Sequence, residues 1–192
     1  MKIGVLALQG ATEPHRQRLA SLGADVISVK SENDLENLSG LILPGGESTT
    51  LIHLLKTSGL RQPLIDFVKT HPTWGVCAGA ILLAKVVMNP RQESLGLMDI
   101  TVERNAYGRQ LDSFIGTLTP VEGADVPDWE TQEGLFIRAP KITQWGSDVR
   151  VLFKYRDAPV MVREKGWIAA TFHAELATPV QIHEFFLQQC TG

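Results

Sequence analysis

Gly75-Val76-Cys77-Ala78-Gly79 is the stretch of this 192-residue chain whose spacing carries the most chemistry. A thiol stands between two glycines, each two positions away, where an aliphatic stretch gives way to small residues. That is the spacing of a nucleophile elbow. The chain turns so sharply from strand to helix that only small neighbours let the two backbones approach, and the side chain at the apex is pushed outward. A thiol at the start of a helix also meets the partial positive charge of that end, which favours the thiolate. An isolated cysteine is more often a small buried residue. Cys190, beside two glutamines near the end of the chain, has no surroundings that lift it above that reading.

A thiol nucleophile needs a base, and the chain offers His15, His53, His71, His173 and His183. Four of these lie in polar or helical contexts. His173 instead ends the apolar run 167–172 and is followed two positions later by Glu175. In an extended chain, positions i and i+2 share a face, so imidazole and carboxylate would be neighbours. The carboxylate would fix the ring tautomer and support the imidazolium, leaving the other nitrogen for Cys77. A third element is Gly45-Gly46, which follows the aliphatic run 41–43. Its exposed amides, with that of Ala78, could hold an oxyanion. The pair lacks the further glycines and lysine of phosphate or dinucleotide loops, and no metal-ligand spacing occurs, so neither cofactor nor metal is expected.

The elements that must position these groups follow from composition and pattern. With 44% hydrophobic and 20% charged residues, the chain reads as one globular domain over 1–192. Eighteen basic against 21 acidic residues, with no basic run, argue against a nucleic-acid partner. The apolar run 3–8 is too short for a leader or a membrane span, and two cysteines without pairing or metal spacing suit the cytoplasm. The pattern predicts a strand over 2–8, then a helix that Thr12 could cap with Pro14 in its first turn. Strands follow at 24–29 and 41–43. A helix capped by Ser48 or a neighbouring threonine runs to Gly59, another covers 62–69, and a strand enters Cys77 ahead of a buried helix over 78–87.

Strands alternating with single helices imply parallel pairing and a sheet covered on both faces. From Asp99 onward, strands at 100–102, 113–118, 134–137, 149–153, 160–162 and 167–172 need partly antiparallel connections. Thr178 and Gln181 form a capping box, with Pro179 at the first helical position, for a last helix to about residue 189. The expected fold is a three-layer α/β sandwich.

Taken together, Leu-Pro-Gly-Gly-Glu-Ser-Thr-Thr at 43–50, Cys-Ala-Gly at 77–79 and the late His-x-Glu resemble class I glutamine amidotransferases. The opening Ile-Gly-Val-Leu-Ala-Leu-Gln-Gly at 3–10, the segment from Val102 to Gln110 with Asp112-Ser113-Phe114, and Phe136-Ile137-Arg138-Ala139-Pro140 narrow the similarity. It is to the glutaminase subunits of pyridoxal phosphate synthase. The resemblance implies a flavodoxin-like, mostly parallel sheet and hydrolysis of L-glutamine to L-glutamate and ammonia. It also implies direct transfer of the ammonia to a synthase subunit, without which the glutaminase is idle.

Carried onto matching positions, the resemblance makes Cys77 the nucleophile and His173 and Glu175 its triad partners. Gly46, Glu47, Ser48, Arg104, Ile137 and Arg138 match the family's glutamine-binding positions. An arginine and a glutamate would complement the two charges of glutamine. Gln9-Gly10, near the expected oxyanion site, is where partner-induced activation is expected. The family commonly has proline between the histidine and the glutamate, where this chain has Ala174 and so a less restricted turn. Two rival readings stand beside this one: another cysteine hydrolase of the same architecture, and a non-catalytic binding module.

Overall fold

The computed structural model describes residues 1–104, 106, 113–124, 129–176 and 180–191. Its backbone is organised around a nine-stranded sheet in which five parallel strands are followed by four antiparallel ones. The parallel half contains β1 (Lys2–Leu6), β2 (Asp25–Val29), β3 (Gly40–Leu43), β4 (Thr73–Val76) and β12 (Trp167–Ala170), in the spatial order β2-β1-β3-β4-β12. It continues through β11 (Ala158–Glu164), β10 (Arg150–Tyr155), β7 (Ser113–Pro120) and β8 (Gln132–Ile137). This is the flavodoxin-like order expected of a doubly wound sheet.

Period-two alternation divides each parallel strand between two cores. Ile3 and Val5 of β1, Ile42 of β3, Trp74 and Val76 of β4, and Ile168 and Ala170 of β12 pack on one face. There they meet Leu19 of α1 (Thr12–Ser21) and Ile182, Phe185 and Phe186 of α5 (Gln181–Gln189). Leu6, Leu41, Leu43 and Ala169 face the other way, onto α2 (Ser48–Thr57), α3 (Arg61–Thr70) and α4 (Ala78–Leu83). The helices of each face therefore bury apolar stripes against a sheet that is apolar on both sides. Among the described residues, no helix is long and apolar enough to cross a membrane.

Several boundaries differ from the sequence expectation, each for a local reason. The helix expected over 78–87 ends at Leu83, and β5 (Ala84–Met88) begins at once. Val86 and Val87 are β-branched, and they pair with β6 (Met98–Glu103) rather than continue the turn. A strand not foreseen, β9 (Lys141–Trp145), completes a three-stranded sheet with these two. Its Thr143, Gln144 and Trp145 are exposed, so it lacks the apolar alternation that marks a half-buried strand.

Capping also departs from expectation. Helix α2 is capped by Glu47 rather than by Ser48 or a threonine, its carboxylate accepting the Thr49 and Thr50 amides at 3.2 and 2.8 Å. The Ser48 hydroxyl turns instead to Gln92 Oε1, at 2.9 Å. Thr12 is the first helical residue of α1, not its cap; Ala11 holds that position. The expected cap at Thr178 and Pro179 lies outside the described residues, as do Asn105, residues 107–110 and Asp112 of the segment that narrowed the resemblance.

Glycine is required where α4 crosses the sheet. A Cβ on Gly75 would come within 2.5 Å of the Gly79 carbonyl oxygen, and one on Gly79 would overlap the Leu43 carbonyl. Backbone is not able to yield as a flexible side chain does. Gly79→Ala should therefore lower stability by about 1–3 kcal/mol, the usual cost of overpacking. The check is the urea unfolding midpoint; an unchanged midpoint would contradict this tight packing.

Candidate active site

Open α/β sheets present ligand sites beyond the carboxyl ends of their parallel strands, beside the point where strand order reverses. Here that point lies between β1 and β3. Gln9 and Gly10 follow β1, Gly45 and Gly46 follow β3, Cys77 follows β4, and His173 lies just past β12. The register is level: Leu43 pairs with Gly75 and Val76 with Ala170, so the loops emerge side by side.

A cleft of about 280 Å³ opens among them. Its lining includes Gln9, Gly45, Gly46, Glu47, Ser48, Cys77, Arg104, Ile137, Arg138 and His173. Three other residues singled out from the sequence lie behind this wall. Glu175 is buried beyond His173, Ala78 begins α4 under the thiol, and Gly10 packs against the back of the Gly45 loop.

Cys77 has φ 49° and ψ −101°, a backbone conformation that L residues resist. It is held there by its amide, which donates to Ala170 O at 2.8 Å, and by its carbonyl, which accepts the Ile81 amide at 3.2 Å. The thiol sulfur is 3.9 Å from the Ile137 carbonyl oxygen and lies beside the His173 imidazole in the wall of the cleft. His173 Nδ1 in turn lies 2.6 Å from Glu175 Oε1.

That last contact does not form across an extended chain, as the spacing of the two residues had suggested. Strand β12 ends at Ala170, and residues Ala174–Leu176 form a 3-10 turn. Curling brings the two side chains together in place of the pleat. Ala174 sits buried in the apolar core within this turn.

Burial opposes a charge on His173, but the neighbouring Cys77 sulfur and the hydrogen bond to the Glu175 carboxylate outweigh it and push the imidazole up to about 10. Burial likewise opposes the charge of Glu175. The His173 bond, with the charge of His15, which protonates only in acid, and that of His173, nevertheless holds its carboxyl below the usual range. The arrangement thus favours an imidazolium braced by a buried carboxylate.

The glycine loop lies directly over this pair. A Cβ on Gly45 would meet His173 Cε1 at 2.6 Å and Cys77 Cβ at 3.6 Å. The loop is also clasped from behind: the Ala11 amide donates to Gly45 O at 2.9 Å, and the Glu47 amide donates to Gln9 Oε1 at 3.0 Å. Gly10 has φ 109°, and a Cβ there would overlap the Gly45 carbonyl oxygen, so only glycine fits.

At the rim, Arg104 approaches Glu47 Oε1 at 3.3 Å, while Arg138 is exposed with φ 44°. Partial burial opposes the charge of Glu47, but its bonds to the hydroxyls and amides of Thr49 and Thr50 lower the carboxyl to about 2. The cleft therefore carries fixed positive and negative groups at its mouth and a thiol–imidazole pair at its floor. Among the described residues no cluster of His, Cys, Asp and Glu is suited to hold a metal ion.

Two residues at the site were passed over in the sequence. His15 of α1 and His183 of α5 are both fully buried, His15 next to Glu175 and His183 next to His15. The available signal was helical spacing. His15 shares a face with Leu19 four residues on, and His183 with Phe186 three residues on, so both belong to apolar stripes rather than to polar contexts.

Residues 5–192 match the model of the SNO glutamine amidotransferase family. The chain is 49% identical to the pyridoxal 5'-phosphate synthase subunit PdxT of Koribacter versatilis, over 98% of this chain and 95% of that one. It is also 49% identical to the PdxT of Deinococcus radiodurans, over 97% and 96%. A crystal structure of a glutamine amidotransferase superposes with a TM-score of 0.90 at 39% identity, covering 99% of both chains. A more distant glutamine amidotransferase, from Thermotoga maritima, shares the fold at a TM-score of 0.64 and 15% identity, covering 99% of this chain and 83% of that one.

The charges at the floor of the cleft set a pH dependence. A histidine raised from 6.5 to about 10 contributes stability that is complete below 6.5 and fades as pH climbs through about 10. A carboxylate lowered from 4.5 contributes stability that is present above 4.5 and is lost as pH falls through its lowered value. The cost of Glu175→Gln, measured as a shift in urea midpoint, should be greatest between pH 4.5 and 6.5 and shrink towards pH 10. A cost independent of pH would contradict the ion pair.

Proposed function

This chain belongs to the SNO glutamine amidotransferase family, and on that premise we propose that it is the glutaminase subunit of a pyridoxal 5'-phosphate synthase. It hydrolyses L-glutamine to L-glutamate and ammonia and delivers the ammonia to a synthase subunit. The observation that carries this reading is the 2.6 Å bond from His173 to Glu175 beside the Cys77 thiol, at the floor of a cleft rimmed by Arg104, Arg138 and Glu47. Residues 1–192 serve as one glutamine amidotransferase domain. The same proposal places the enzyme in the cytoplasm, where free thiols such as Cys77 and Cys190 persist.

The cycle begins with His173 already holding the thiol proton, and Cys77 sulfur attacks the side-chain amide carbon of glutamine. Negative charge moves onto the amide oxygen, where amides of Gly45, Gly46 and Ala78 receive it. His173 returns its proton to the departing nitrogen; the C–N bond breaks, ammonia leaves, and a glutamyl thioester stays on Cys77. His173 then removes a proton from water, which attacks the thioester, releases glutamate and restores the thiol. Gly46, Glu47, Ser48, Arg104, Ile137 and Arg138 hold the amino-acid end, the charged members pairing with its carboxylate and ammonium.

Control by the partner has a physical basis in the clasp behind the glycine loop. Gly45 O is held by the Ala11 amide and the Glu47 amide by Gln9. A synthase subunit that docks on the Gln9–Gly10 turn changes both bonds at once and re-aims the loop amides. Ammonia released under a docked partner is also kept from solvent, where most of it would be protonated at neutral pH.

Glutamate release should accordingly be slow from the isolated chain and fast in the complex with its synthase subunit. Cys77→Ala should lower turnover of the complex at least about a thousandfold, as loss of a nucleophile does elsewhere. Turnover by Cys77→Ala at the wild-type rate would overturn the covalent mechanism. Equal rates with and without the synthase subunit would overturn partner control.

A further inference from the structure

The triad uses one oxygen of Glu175. The other, Oε2, is buried without a hydrogen-bond partner, and 3.6 Å away stands the Nε2 of His15, buried and equally unpartnered. Both side chains are wholly shielded from solvent. An unsatisfied acceptor and an unsatisfied donor facing each other at that separation are one short movement from a hydrogen bond. Catalytic hydrogen bonds are commonly long in the resting enzyme and tighten in the reacting complex.

The ring of His15 is held in place for this. Its Nδ1 lies 3.2 Å from His183 Nε2, and both imidazoles stand edge-on against Trp74, with ring centroids 5.6 and 4.9 Å from the indole. Burial above all keeps both histidines neutral, His15 falling to about 4 and His183 to about 3. One assignment of protons then satisfies the most contacts. His183 Nε2–H donates to bare Nδ1 of His15, and His15 Nε2–H is directed at Glu175 Oε2. The atom left over is His183 Nδ1, which has no partner and in this assignment carries no proton, the less costly way to leave it.

We propose that His15, oriented by His183, is a positioning residue for the triad, its Nε2–H fixing the free oxygen of Glu175 so that the other oxygen stays aimed at His173. A neutral donor suits this task. It holds the carboxylate in place without cancelling the negative charge that supports the His173 imidazolium. The inference rests on the triad reading above, since His15 acts on the reaction only through Glu175.

Two substitutions separate this role from simple core packing. Glutamine places its amide near the Nε2 position and reaches Glu175; asparagine places its amide near Nδ1 and reaches only His183. In the complex with the synthase subunit, His15→Asn should lower kcat for glutamate release about tenfold to a hundredfold, the scale of a misplaced catalytic group. KM should be unchanged, and His15→Gln should recover most of the loss. Cys77→Ala is assayed alongside. If it is inactive while the Gln and Asn variants have equal kcat, this inference alone falls; if it still turns over, the triad reading falls and takes this inference with it. Nitrogen-15 spectra of the histidines in the wild-type protein near pH 7 give a test independent of any variant's folding. They should show His15 neutral with its proton on Nε2; a proton on Nδ1, or on both nitrogens, would overturn the proposal.

Discussion

Cys77 is held at φ 49° and ψ −101°, and the geometry of the site depends on that one strained residue. A conformation of this kind costs about 1–3 kcal/mol and persists only where its surroundings over-determine it. Those surroundings are the bond to Ala170 on the neighbouring strand, the first turn of α4, and two glycines that let α4 lie against β3 and β4 with no side chain between. The strain has a geometric return. It lifts the thiol off the strand end and faces it towards a histidine just past the end of the adjacent strand β12, so thiol and imidazole follow directly from two paired strands.

Charge in a dry place is the second constraint. His173 and Glu175 lie where water screens little, so each would be costly alone and is stabilised by the other. The pair is flanked at both ends, by Cys77 towards the cleft and by the buried His15 towards the core. The glycine loop at 45–46 belongs to the same construction. It crosses the His173 ring so closely that Gly45 has no room for a side chain, and it is tied to the turn after β1 by two hydrogen bonds. Anything that moves the Gln9–Ala11 turn therefore moves the groups that would receive the developing negative charge.

Much of this was legible in the chain. The glycines around Cys77, the pair at 45–46 and the His-x-Glu spacing marked the elements that meet at the cleft, because turns and close approaches need residue types that stand out in sequence. The parallel half of the sheet was legible from aliphatic runs separated by single helices. Three features were not. The 78–87 run carried a helical composition to its middle and a β-branched pair afterwards, and pairing with β6 decided the outcome. The bond from His173 to Glu175 forms across a 3-10 turn, where local curvature replaces the alternation assumed for a strand. His15 and His183 were hidden because a histidine on an apolar stripe looks the same whether it merely fills space or faces a buried carboxylate, and only the convergence of α1 and α5 distinguishes the two.

The central claim is that glutamine is opened by covalent attack from the thiol at the elbow. Acid quenching of the complex during turnover, followed by digestion and mass spectrometry, tests it directly. A glutamyl adduct is expected on the peptide that contains Cys77 and on no other. Glutamate production with no adduct there, or an adduct on the peptide that contains Cys190, would contradict it.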